Sequence, residues 1–168
     1  LAGHVEIRGV DIWRSEEERR RIQRDFGVLF QSGALLGSLT LGENVALPLD
    51  AHRDLSTEER DAIVAAKLDQ VGLSGYEDYV PSKISGGMKK RAGLARAIVM
   101  QPEYILYDEP TTGLDPITGD AINDLIIKLQ KELGVTSIVV THDMPSAFKI
   151  ADRIAMLSRG KIVFTGSV

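Results

Sequence analysis

Cysteine is absent from the 168 residues, which excludes a disulfide framework and a thiolate metal site. Neither charge dominates: 20 Lys and Arg stand against 24 Asp and Glu, a net charge of −4. A general nucleic-acid binder needs a cationic surface to meet phosphates, so that class is set aside. No apolar run approaches the roughly 20 residues of a membrane span. No basic stretch followed by an apolar one opens the chain, as a secretory leader would. Leu1 rather than Met stands first, and a piece of something longer is expected. Internal repeats and low-complexity tracts are also missing. What remains is 43% apolar and 26% charged residues, an ordinary globular composition with length for one domain.

The local patterns then divide the chain. His4 to Ile7 alternates polar and apolar residues and predicts a short strand closed by Gly9. Ser15 with Glu18 has the form of a capping box, predicting a helix over 16–24. Gly27 to Gln31 reads as a buried strand ending in polar residues. From Ser32 to Met100 helices dominate. Ser56 and Glu59 form a second capping box, Ile63, Val64, Leu68 and Val71 follow at helical spacing, and Gly72 stops the helix. Ser85 opens another helix that Pro102 ends. Beyond it, runs at 104–107 and 135–141 alternate with an amphipathic helix over 121–133 closed by Gly134. A short helix over 146–151 and strands over 153–157 and 162–164, joined by an Arg159-Gly160 turn, complete the chain. Short apolar strands alternating with helices predict an α/β fold on a parallel sheet, here interrupted by a helical insert.

Several strand and helix ends carry groups suited to phosphate chemistry. Asp108 and Glu109 follow the apolar run Tyr104 to Tyr107, and ligands of open α/β sheets bind at such strand ends. One acid there can hold Mg²⁺, which wants hard oxygen ligands and keeps part of its water. A neighbouring acid can polarise a water for attack on phosphorus. Ser85-Gly86-Gly87 opens a helix, where unpaired N–H groups and a partial positive charge favour an anion. Alone, that triplet reads better as a plain N-cap with a flexible lead-in. His142 ends the run Ser137 to Val140 with one residue between, and a neutral imidazole there can touch a phosphate oxygen. Gln31 ends a strand with a carboxamide oxygen that could face a metal. Singly, such a histidine is more often structural or simply solvated, and the glutamine a surface amide. The order of the whole series is what gives it meaning.

In that order the series resembles the ATP-binding-cassette (ABC) ATPases over essentially the whole chain. The resemblance implies an α/β P-loop NTPase (RecA-like) fold with a parallel sheet core and a helical subdomain insert. Residues 1–31 and 101–168 would belong to the core, and 32–100 to the helical subdomain with its signature motif. Gln31 resembles the Q-loop glutamine, implied to reach Mg²⁺ and sense the γ-phosphate. Ile84-Ser85-Gly86-Gly87-Met88 is similar to the signature motif, which in this family binds the γ-phosphate of ATP held by the opposite subunit. Met88 departs from the glutamine that many members carry, although the serine and backbone amides do most of the binding. Asp108 resembles the Walker B aspartate, a metal ligand, and Glu109 the catalytic glutamate. Thr112-Gly113-Leu114-Asp115 is similar to the D-loop, with Asp115 crossing the dimer interface, and His142 to the switch histidine. ATP and Mg²⁺ are the implied cofactors. A second copy, head to tail, and transmembrane permease subunits are the implied partners, at the cytoplasmic face of a bacterial inner membrane.

Within the family, Met88 followed by Lys89-Lys90-Arg91 resembles the ATPases of bacterial MCE-type phospholipid transporters. Phe30-Gln31-Ser32-Gly33-Ala34-Leu35 and Glu43-Asn44-Val45-Ala46-Leu47-Pro48-Leu49 share that resemblance. An ABC importer or exporter of another substrate, and a soluble ABC ATPase of DNA repair or translation, are the competing readings. The latter typically carry coiled-coil insertions or duplicated cassettes, which are not seen here. A bare scaffold would have no need of Gln31, Ser85, Glu109 and His142.

No Gly-x-x-x-x-Gly-Lys-Ser/Thr phosphate loop occurs in the sequence. Gly33-Ala34-Leu35-Leu36-Gly37-Ser38 has two glycines but no lysine, and follows Gln31 rather than preceding it. In the family this loop lies upstream of a segment beginning where Leu1 does. The expectations are that these residues by themselves bind ATP poorly, hydrolyse essentially none, and present an apolar sheet edge.

Overall fold

The computed structural model describes residues 4–168. β1 (Glu6–Ile7) and β2 (Val10–Asp11) form a small antiparallel hairpin. Both turn residues are left-handed, Arg8 at φ 53° and Gly9 at φ 74°, the backbone that a tight two-residue hairpin requires. The expected strand is thus shorter and has a partner that the sequence reading did not assign. The Arg8 guanidinium ties the hairpin to Glu103 and Asp25. α1 (Glu16–Gln23) starts at Ser15, whose hydroxyl accepts from Glu18 N at 3.1 Å. Only that half of the capping box forms, because the Glu18 carboxylate accepts from the Ser15 hydroxyl at 3.3 Å instead.

The central sheet is parallel in the order β3 (Phe26–Leu29), β4 (Tyr104–Asp108), β5 (Thr136–Val140). Three helices lie between β3 and β4 in the chain: α2 (Leu41–His52), α3 (Thr57–Gln70) and α4 (Gly86–Ile98). α5 (Pro116–Leu133) joins β4 to β5, and α6 (Met144–Ile150) follows β5. α3 has the complete capping box of Ser56 and Glu59. α2 has another, made by Thr40 and Glu43, which the sequence reading passed over. α5 begins five residues before the expected 121, since Asp115 caps it and Pro116 occupies the first turn.

One apolar core unites these elements. Leu29, Ile105 and Tyr107 from the sheet meet Leu41, Val45 and Leu49 of α2, Leu68 of α3, Leu94 and Ile98 of α4, and Ile122, Ile126 and Leu129 of α5. Each such side chain contributes about 1.5–3 kcal/mol when fully buried. α4 runs so close to β3 that a Cβ on Gly27 would stand 2.2 Å from the Ala97 carbonyl oxygen. Only glycine permits that approach.

β6 (Arg153–Ser158) and β7 (Lys161–Ser167) form a second antiparallel hairpin, turning at Arg159-Gly160 as expected. Among the described residues, no strand pairs with the outer edge of β5. Ile138 and Val140 of β5, and Leu157, Ile162 and Phe164 of the hairpin, are exposed.

Candidate functional site

The sheet register brings the chemical residues to one end. Leu29 pairs with Tyr107, and Asp108 with Val140, so Gln31, Asp108, Glu109 and His142 all lie at or just beyond the carboxyl ends of neighbouring strands. Asp108 is the last residue of β4 and is exposed. Gln31 sits two residues past β3, also exposed.

Glu109 turns the chain sharply. Its φ is 47°, a conformation rare for a side chain of this size. Its N–H donates to the Val140 carbonyl at 2.9 Å, fixing the turn against β5. The carboxylate is then surrounded by donors. Oε1 accepts from His142 N at 3.1 Å and lies 2.7 Å from His142 Nδ1. Oε2 accepts from the hydroxyls of Thr112 at 2.9 Å and Thr141 at 3.3 Å.

Charge follows this geometry. Desolvation pushes the Glu109 carboxyl up, but the bonds from His142 and Thr112 and the histidine's charge outweigh it, leaving the group below its ordinary range. The carboxylate's hydrogen bond and charge raise His142 above its usual value. With Glu109 ionised, Nδ1 must carry the proton of the pair. The histidine side chain is 80% exposed, which leaves Nε2 open to an incoming group.

Ser85 caps α4, accepting from Met88 N at 3.2 Å. The glycines after it meet the next motif directly: a Cβ on Gly86 would touch Leu114 Cδ2 at 3.4 Å, and one on Gly87 would stand 2.5 Å from Thr118 Cγ2. Asp115 caps α5, its Oδ1 accepting from Ile117 N at 3.1 Å and Thr118 N at 3.0 Å. The bond at Thr118 leads in holding its carboxyl below the usual carboxylate range. The segments of Ser85 and Asp115 therefore pack together, whereas Glu109 and His142 form a separate hydrogen-bonded pair.

Four side chains have roles here that the sequence does not assign, although Thr112 and Lys90 stand in runs already named. Thr112 and Thr141 hold the Glu109 carboxylate. Lys90 donates to the Glu109 main-chain oxygen, and Arg96 to the carbonyls of Gly33 and Ala34. Only proximity to a motif signals the threonines, and Lys90 is hidden in a run of charge. Among the described residues, no three His, Asp or Glu side chains gather to hold a metal alone. Asp108 and Gln31 are both exposed at strand ends, and their oxygens are of the hard kind that Mg²⁺ takes.

Comparison with known proteins agrees with this geometry. The ABC transporter family model matches residues 1–112. The chain is 43% identical over 168 residues to the methionine import ATP-binding protein MetN of Geobacillus kaustophilus, covering 99% of the chain and 49% of that protein. It is 44% identical over 165 residues to the probable ribonucleotide transport ATP-binding protein mkl of Mycobacterium leprae, covering 98% and 48%. It is 42% identical over 166 residues to the intermembrane phospholipid transport system ATP-binding protein MlaF of Haemophilus influenzae, covering 98% and 63%. The chain thus spans about half to under two thirds of the length of these relatives. Among solved structures, the dimeric bacterial ABC transporter cassette MJ0796 is similar at TM-score 0.86 and 35% identity, over 99% of this chain and 73% of that one. A parallel sheet with acids at its strand ends, and a matching family model across more than half the sequence, lead to one assignment: the chain belongs to the ABC transporter family.

Proposed function

We propose that these residues form part of an ATP-hydrolysing, nucleotide-binding subunit of an ABC transporter. The observation that carries the reading is Glu109, held in a left-handed turn at the end of β4 with its carboxylate against His142. A carboxylate there can orient or deprotonate the attacking water. Its partner becomes more basic beside it, and an imidazolium has a second N–H, at Nε2, to donate to a γ-phosphate oxygen. Asp108 and Gln31 would hold Mg²⁺, which supplies charge neutralisation at the phosphates when bound. Ser85, Gly86 and Gly87 would offer the N-terminus of α4 to the nucleotide of a second, head-to-tail copy, with Asp115 beside them at that interface.

Residues 1–31 and 101–168 fit an ATPase core, and 32–100 a helical subdomain, since α2, α3 and α4 all fall between β3 and β4. No helix among the described residues is long and apolar enough to cross a membrane. A peripheral place on permease subunits, at the cytoplasmic face of an inner membrane, follows from the transporter reading. Phospholipid is the finer proposal for the cargo. It is supported by the Ser-Gly-Gly-Met segment at 85–88 and by MlaF, although MetN and mkl are equally similar. Mass spectrometry of the molecule that co-purifies with the permease complex separates phospholipid from methionine or a nucleotide.

The test of the ATPase reading is Glu109→Gln in a subunit that also contains a phosphate loop. Turnover is expected to fall about 10²- to 10⁴-fold, with ATP affinity retained. Undiminished turnover in that variant removes Glu109 from the role.

A further inference from the structure

Lys90 is a buried cation without an assigned purpose. It is 4% exposed, on α4 five residues beyond Ser85, about 7.5 Å along the axis. Its Nζ donates to the main-chain oxygen of Glu109 at 2.8 Å. We propose that Lys90 is a positioning residue for Glu109: the ammonium carried by α4 sets the turn that aims the catalytic carboxylate. This rests on the ATPase reading of Glu109.

The turn needs such a determinant. A non-glycine residue at φ 47° persists only where its surroundings enforce it. β5 supplies one restraint, through Glu109 N on the Val140 carbonyl at 2.9 Å, while the 3.3 Å bond from Thr112 N to Glu109 O is long. The Lys90 ammonium supplies the short bond on the carbonyl side, from a different element of the fold.

Space filling does not explain a lysine here. Methionine has nearly the same reach and would pack against the core without desolvating a charge. Burial lowers the Lys90 ammonium's pKa, and the carboxylates of Glu109 and then Asp108 oppose that. The bond to the Glu109 carbonyl and the negative charge nearby offset part of the cost of burying the cation.

Arg96, nearly two turns further along α4, repeats the device. Its Nη1 donates to the Ala34 carbonyl at 2.7 Å and its Nη2 to the Gly33 carbonyl at 2.8 Å. Those residues are also left-handed, at φ 45° and 76°, in the turn that follows Gln31. One helix that begins at Ser85 therefore grips both strained turns by their carbonyls. A shift of α4 would reach the carboxylate of Glu109 through Lys90.

The experiment uses the intact subunit with its phosphate loop, and compares Lys90→Met, Lys90→Arg and Glu109→Gln by steady-state ATP hydrolysis and thermal melting. Misplacing a catalytic group by about 1 Å costs on the order of 10²-fold in rate. Lys90→Met is expected to lose about that much kcat with KM for ATP unchanged, and Lys90→Arg to recover most of it. Should Lys90→Met not fold, Lys90→Gln, whose donor is one bond shorter, takes its place with the same expectation. Parental kcat in the Met or Gln variant overturns the inference, as does a melting shift in which kcat and KM do not separate. Turnover that survives Glu109→Gln would instead remove Glu109 from the catalytic role, and the inference with it.

Discussion

Gly87→Ala probes the contact between the Ser85-Gly86-Gly87 segment and the Asp115 turn. A Cβ at position 87 would lie 2.5 Å from Thr118 Cγ2, whereas carbon atoms pack at about 3.5–4.0 Å. Either α4 and α5 separate by roughly 1 Å, or the threonine leaves its rotamer. Overpacking of this kind costs about 1–3 kcal/mol. Alanine gives back at most about 1 kcal/mol of helix propensity, and less at the second helical position than in the interior. The net loss is about 1–2 kcal/mol. For a chain of this length each kcal/mol lowers Tm by about 2–4 °C. Urea unfolding, read as a midpoint shift at constant slope, gives the free energy directly. Thr118→Ser removes the offending methyl, so the alanine should cost about 1 kcal/mol less in that background. The reasoning fails if Gly87→Ala is as stable as the parent, or if the serine leaves its cost unchanged.

Two further outcomes follow from the geometry. The side chain of Asn44 accepts from Leu36 N at 2.7 Å and donates to the carbonyls of Leu36, Leu39 and Thr40. Asn44→Ala should therefore cost about 2 kcal/mol in urea unfolding, and a loss under 0.5 kcal/mol would discount that loop anchor. His142 should titrate above its ordinary 6.5 and fall back toward it in Glu109→Gln, as followed by NMR of its ring protons. Its raised folded value makes the histidine's contribution to stability full below the ordinary pKa, and lost as pH rises through the folded value. The depressed Glu109 contributes in the opposite sense: its stabilisation is present above its ordinary pKa and lost as pH falls through the folded one. An unchanged His142 titration in the glutamine variant would mean that the pair is not coupled.

Much of the fold was legible because local signals agreed with the final structure. Ser56 and Glu59 announced α3, and the apolar run at 104–107 announced the strand that ends at the two acids. α2 was harder to delimit, since Pro48 sits within it and argues against a helix in sequence. Thr40 with Glu43 three residues later is the signal of its start. The hydroxyls around Glu109, and the cations Lys90 and Arg96, depend on which turns the chain brings against α4. No periodicity encodes those long-range contacts. Asp115 is a different case: the family resemblance gives it a place at an interface, and the structure gives it a local duty as the cap of α5.

The most direct test is a calorimetric titration of Mg-ATP into these 168 residues, and into a version extended upstream through a Gly-x-x-x-x-Gly-Lys-Ser/Thr loop. Binding by the extended protein alone is the predicted result, because that loop's amides and lysine are the main phosphate ligands. Tight binding by the 168 residues would contradict the account of what holds the phosphates, and binding by neither would contradict the ATPase reading.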